Sequence, residues 1–122
     1  MKDPSNPVCR TISTLLSRIG DKWTVLVVDT LAGGPRRFNE LRRDIPSVSQ
    51  RMLTLTLRNL ERDGIVSRKV TPSIPPRVDY ALTALGHSLH EPVEALSQWA
   101  LDNVAAIHDA QAQFDSQHAE AA

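Results

Sequence analysis

Phe38-Asn39-Glu40-Leu41-Arg42-Arg43-Asp44-Ile45, then Pro46, then Ser47-Val48-Ser49-Gln50-Arg51-Met52-Leu53, is the stretch that decides how this chain folds. Its first eight residues have the spacing of a short amphipathic helix, and Pro46, with no N–H to donate, breaks the pattern. Ser47 followed three residues later by Gln50 matches a capping box, so the spacing predicts a second, longer helix over 47–63. Two helices joined by so tight a turn form a helix-turn-helix. In the second helix Leu53, Leu57 and Leu60 fall on one face, while Gln50, Arg51, Thr54 and Arg58 fall on the other. The apolar face belongs to a core. The polar face has two readings: a solvated surface, or a face that enters a DNA major groove, where Gln and Arg present paired donors or acceptors to base edges.

Gly64 stops this helix, and the β-branched content of residues 65–70 predicts a strand, with a second alternating strand over 78–82. Between them Thr71-Pro72-Ser73-Ile74-Pro75-Pro76-Arg77 is a stiff loop that cannot extend the ladder, with Arg68, Lys69 and Arg77 around its base. A helix-turn-helix followed by a β-hairpin is a winged helix. The expected fold is therefore mainly α with a small β-hairpin. Just upstream, Gly33-Gly34-Pro35 supplies a turn, and Arg36 and Arg37 follow it, placed either to meet phosphate or to lie as solvated surface.

The 122 residues carry 14 Lys/Arg against 14 Asp/Glu, a formal net charge of zero that alone argues against a nucleic-acid partner. The distribution reverses that inference. Residues 1–35 sum to +1, residues 36–79 to +5 and residues 80–122 to −6. A basic middle and an acidic end allow one side of the molecule to hold phosphates while the other lies away from them.

Ile12, Leu15, Leu16 and Ile19 predict a helix over 10–19. The next, over 22–31, is apolar over much of its surface, and Trp23, Leu26, Val27 and Leu31 are its expected core residues. After the hairpin, Thr83 can cap a helix to about residue 108, along which Leu85, Leu89, Val93, Leu96, Ala100, Val104 and Ile107 step by three or four. Pro92 lies inside it. At about 1.5 Å per residue this helix is roughly 40 Å long, so part of its stripe has nothing to cover within one chain of this size. A second copy is the expected cover, with Leu15, Leu89, Leu96, Trp99 and Val104 as contact candidates; for Trp99 a place in the core is the competing reading. The chain thus reads as one domain: an arm over 1–9, a winged core over 10–82, a dimerisation helix over 83–108 and a frayed tail over 109–122.

No apolar run has the length of a signal peptide or a membrane span, which points to a cytoplasmic protein with no membrane partner. One cysteine, Cys9, cannot form an internal disulfide. His87 and His90 are three apart, but with no cysteine near them solvated imidazoles are the better reading than a metal site. Phosphate loops, HExxH helices and nucleophile elbows are absent, so no cofactor and no catalytic residue is assigned. Cys9 sits at the start of the first predicted helix, where free backbone N–H groups, the positive dipole end and Arg10 favour a reactive sulfur; the alternative is a small buried hydrophobe.

These residues also carry a resemblance. Gly20-Asp21-Lys22-Trp23, Arg37-Phe38-Asn39-Glu40-Leu41, Ile45-Pro46-Ser47-Val48-Ser49-Gln50-Arg51-Met52-Leu53, Leu60-Glu61-Arg62-Asp63-Gly64, Pro75-Pro76-Arg77-Val78-Asp79-Tyr80 and Leu82-Thr83-Ala84-Leu85-Gly86 appear in the order and spacing of the HxlR-type winged-helix regulators, relatives of the MarR-like regulators. The resemblance covers nearly all of residues 9–99. It implies a homodimer joined through its N- and C-terminal helices, with Ser49, Gln50, Arg51 and Thr54 facing DNA and Arg77 with its proline neighbours forming the wing. It also places Cys9 where some members carry a cysteine that senses electrophiles or oxidants, although here Arg10 rather than proline follows it. The resulting expectation is a transcriptional regulator on a palindromic operator, contacting double-stranded DNA through Arg36, Arg37, Ser47, Ser49, Gln50, Arg51, Thr54, Arg58, Lys69 and Arg77, with a small reactive molecule at Cys9. The rival from another class is a winged helix whose basic face meets an acidic protein. A thiol enzyme built on Cys9 ranks third.

Overall fold

A computed structural model describes residues 5–119. Along the chain these form α1 (Pro7–Ile19), α2 (Lys22–Ala32), α3 (Phe38–Asp44), α4 (Gln50–Arg62), β1 (Val66–Thr71), β2 (Arg77–Leu82) and α5 (Ala84–Ala119). This is a mainly helical winged helix-turn-helix with one antiparallel hairpin. Its contacts divide the chain into two compact units that meet at the bond between Glu91 and Pro92.

In the first unit the core gathers Val27, Val28 and Leu31 of α2, Leu41 of α3, Leu53, Leu57 and Leu60 of α4, and Val66 and Leu82 of the hairpin. At about 2 kcal/mol for each fully buried aliphatic side chain, the three α4 leucines alone contribute several kcal/mol to holding that helix in place. Val27 and Leu31 are core residues as expected, and Trp23 packs against the core while partly exposed. Leu26 is 40% exposed, because four core positions in eleven residues already fill the inward arc of α2.

Three helix ends differ from the sequence expectation. The first helix begins at Pro7 rather than residue 10: Asn6 accepts a hydrogen bond from the Val8 N–H at 2.8 Å, and Pro7 at the first helical position lacks only an N–H that would have had no partner there. The expected arm therefore shrinks, and its residues 1–4 lie outside the described residues. Helix α4 is capped by Ser49, which accepts from the Met52 N–H at 3.0 Å, and not by Ser47. Ser47 belongs to the turn, closed by Val48 N–H donating to the Ile45 carbonyl at 3.1 Å, and buried Val48 holds that turn against the core. At the C-terminal end α5 continues through residues 109–119, where a frayed tail was expected, because alanine and glutamine are strong helix formers and nothing breaks the run. Residues 120–122 lie outside the described residues.

The C-terminal end of α4 is a Schellman motif. Gly64 takes a left-handed φ of 77°, Gly64 N–H donates to the Glu61 carbonyl, and Ile65 N–H donates to the Leu60 carbonyl at 2.9 Å. The chain thereby turns straight from α4 into the hairpin. Thr83 caps α5 as expected, its hydroxyl accepting from the Gly86 N–H at 3.0 Å.

The second unit, from Pro92 onward, is helical through Ala119 and presents exposed Leu96, Trp99, Leu101, Val104, Ile107 and Phe114. Phe114 stacks on His118 one turn later, with ring centroids 3.9 Å apart.

Candidate nucleic-acid interface

The turn and cap described above set α4 with its leucines inward, so the remaining side chains face solvent. Gln50 and Arg51 occupy its first turn, and both are exposed, as are Ser49, Thr54 and Arg58. This is the arrangement the periodicity predicts, with one chemical refinement. The Thr54 hydroxyl donates to the Gln50 carbonyl at 2.8 Å, so toward an outside partner it offers an acceptor and a methyl group but no donor.

The cations divide into those held by their own chain and those turned outward. The Arg36 guanidinium donates to the Gly34 and Pro35 carbonyls at 3.1 and 3.0 Å and lies 3.6 Å from Asp44, so it braces its own turn. Neighbouring Arg37 is exposed, and its backbone N–H donates to Glu40 at 3.0 Å, capping α3. Arg77 donates to Asp79 at 3.0 Å, which offsets part of its charge. Arg18 of α1 lies 2.9 Å from Asp63 and also donates to the Asn59 carbonyl, fastening α1 to the last turn of α4.

Strand register sorts the hairpin cations. Arg68 is paired with Tyr80 and Lys69 with Asp79. Successive residues of a strand point to opposite faces, so Arg68 shares the face of Val66, Leu82 and Tyr80, which is turned to the core and α4, and Lys69 lies on the other. Arg68 is not among the DNA contacts expected from the sequence, and the register that places it beside Val66 comes from the structure. A cleft of about 330 Å³ between α4 and the hairpin is lined by Thr54, Leu57, Arg58, Glu61, Arg68 and Tyr80. A second hollow, of about 340 Å³, lies between α3 and the turn, lined by Asn39, Arg42, Arg43, Pro46 and Val48.

Other predicted residues fall elsewhere. Leu89 is partly buried and packs against the core of its own chain, and Leu15 is partly exposed on α1. Leu96, Trp99 and Val104 are 57%, 57% and 44% exposed, so the core reading of Trp99 fails. Cys9 lies inside the first turn of α1 and is 7% exposed. His90 is not a solvated imidazole: its Nε2 lies 3.2 Å from Asp29. No helix among the described residues is long and apolar enough to cross a membrane.

Comparison with known proteins agrees with this geometry. An HTH-type transcriptional regulator of Methanothermobacter thermautotrophicus is 46% identical over 89 residues, covering 73% of this chain and 68% of that protein. The structure of the redox regulator HypR in its reduced form superposes with a TM-score of 0.75 at 41% identity, covering 81% of this chain and 98% of that one. The reduced form of the transcriptional regulator YodB from Bacillus subtilis gives a TM-score of 0.67 at 37% identity, over 74% and 88% of the two chains. The family model described as HxlR-like helix-turn-helix matches residues 18–108, and the chain belongs to that family.

Proposed function

We propose that the protein is a sequence-specific DNA-binding transcriptional regulator that acts as a homodimer on a palindromic operator. The observation that carries this reading is the first turn of α4: Gln50 and Arg51 stand exposed and adjacent while the opposite face of the same helix is locked into the core by Leu53, Leu57 and Leu60. A rigid helix with bidentate hydrogen-bonding groups at its N-terminal end suits base-edge recognition in a major groove. Two such helices in a symmetric dimer lie about 34 to 36 Å apart on one face of the duplex, which calls for two half-sites related by a twofold axis. The uncovered apolar positions on the second unit supply a surface for that dimer.

Selecting bound fragments from genomic DNA tests this directly and yields an operator. On that operator Gln50→Ala and Arg51→Ala are expected to lose about 1 to 3 kcal/mol of specific binding and to relax base preference at the contacted positions. If both variants keep the wild-type ratio of specific to non-specific affinity, base recognition lies elsewhere. Failure to enrich any fragment, with binding to acidic proteins instead, would favour the assembly-module reading.

Regulation through Cys9 is the finer part of the proposal, supported by its position at the start of α1 and by the likeness to HypR, a redox regulator. At 7% exposure the thiol is screened, so modification requires the first turn of α1 to open. Diamide is therefore expected to act slowly, to lower operator affinity in wild type, and to leave Cys9→Ser unaffected. Equal responses of the two proteins would sink the sensor role and leave DNA binding standing.

A further inference from the structure

Arg58 and Arg68 line the same cleft, and among the described residues neither is ion-paired, although Glu61 lines that cleft as well. Arg58 projects from α4 and Arg68 from β1, and together with Thr54, Glu61, Leu57 and Tyr80 they line the space between recognition helix and hairpin. Arg18, Arg36 and Arg77 each lie against an aspartate, but among the described residues no carboxylate oxygen lies within 4.0 Å of Arg58 or Arg68. The floor is apolar, since Leu57 is 1% exposed and Tyr80 is partly buried. Glu61 occupies the end remote from Gln50, three residues beyond Arg58, and leaves the end next to Thr54 cationic. Like charges on the two walls of a cleft repel one another, and an oxyanion between them converts that repulsion into two charge-assisted hydrogen-bonding contacts.

We propose that Arg58 and Arg68 together hold a single phosphate of the DNA backbone, wedged between the recognition helix and the hairpin. The inference rests on the DNA-binding reading. It adds Arg68 to the interface and assigns Arg58 and Arg68 to one phosphate rather than to two. Thr54 stands one turn after Gln50 on the same face, so a duplex read by Gln50 and Arg51 carries its backbone past the mouth of the cleft. The Thr54 hydroxyl is already used on the Gln50 carbonyl and contributes no donor to the phosphate.

The count of phosphates is readable from salt dependence, because each neutralised phosphate adds about −0.9 to the slope of log affinity against log salt. The full-length protein is titrated against a short random-sequence duplex from about 50 to 200 mM salt, as wild type, Arg58→Ala, Arg68→Ala and the double variant, with thermal melts to confirm folding. Either single change is expected to weaken binding several-fold. The double variant is expected to reduce the slope by about one phosphate and not two. A slope reduced by two, or unchanged, overturns the inference while wild-type binding preserves the DNA reading; no wild-type binding to any duplex removes both. A free-anion site is the remaining alternative: inorganic phosphate raising the melting temperature of wild type but not of the double variant, with duplex binding equal in the two, would replace the DNA phosphate by a dissolved one.

Discussion

Gly86→Ala is expected to destabilise the protein by roughly 3 kcal/mol or more, the largest single effect of any substitution outside the leucine core. A Cβ on residue 86 would overlap the Ile65 carbonyl oxygen outright and would lie 3.2 Å from the carbon of that carbonyl and 3.1 Å from Leu82 Cδ2. The leucine can rotate, but the carbonyl cannot retreat. It accepts from the Thr83 N–H at 3.0 Å, the Thr83 hydroxyl donates to the adjoining Gly64 carbonyl, and Ile65 is the residue that closes the Schellman turn of α4. Any movement therefore loosens the α5 cap and the C-terminal end of α4 together. Urea denaturation of the variant, with Gly20→Ala as control, measures this. At Gly20 an added Cβ meets its nearest atoms at 3.5 and 3.6 Å and φ is −72°, so the control is expected to denature close to wild type. Equal midpoints for the two variants would mean that α5 is not pressed against the start of β1.

The double variant Leu96→Glu/Trp99→Glu is expected to be monomeric, with self-association weakened at least about 100-fold, or some 2.7 kcal/mol. The two side chains lie three residues apart on the second unit, and each is 57% exposed. Buried tryptophan is the commonest kind of interface anchor, and charges at both positions would have to be desolvated for the contact to form. Glutamate is a good helix former, so the substitution tests association without taxing the helix itself. Sedimentation at micromolar concentration separates the outcomes. A wild type that sediments as a monomer rejects the dimer, and a double variant that stays dimeric places its interface elsewhere. Loss of the dimer should also carry off operator affinity, since half-sites are then engaged one at a time.

The winged helix itself was legible because the relevant signals are local and strong. The three leucines of α4, the glycine after it, the β-branched run over 65–70 and the alternation over 78–82 each act within a few residues, and together they admit one supersecondary order. Cap positions were less legible: Ser47 and Ser49 are both capping residues, and the choice fell to Val48, whose burial fixes the turn between them. Asn6-Pro7 carried a clear helix-start signal that the surrounding polar residues masked. The candidate site was half legible. Helical period picked out Gln50, Arg51 and Arg58, but the tethering of Arg36 to the turn it follows and to Asp44, and the pairing of Arg77 with Asp79, depend on side-chain geometry that spacing does not encode. Arg68 and Lys69 are equivalent in sequence, and only the register against Tyr80 and Asp79 separates them. Arg18 could not have been assigned from sequence, since its partners lie more than forty positions away.

The backbone of Arg36 is bonded to Tyr80 in both directions, Arg36 N–H to the Tyr80 carbonyl at 2.9 Å and Tyr80 N–H to the Arg36 carbonyl at 2.8 Å. This closes, at mid-strand, the margin of β2 that faces away from β1. A two-stranded ribbon with both margins open is a template onto which a foreign strand can add, and such addition is the usual start of fibrillar assembly. Here one margin is occupied by the chain's own upstream turn, the other belongs to a strand charged at Arg68 and Lys69, and the tip lacks N–H donors at Pro72, Pro75 and Pro76. The hairpin can therefore stand out from the body, long and solvated, and still remain a poor seed for aggregation.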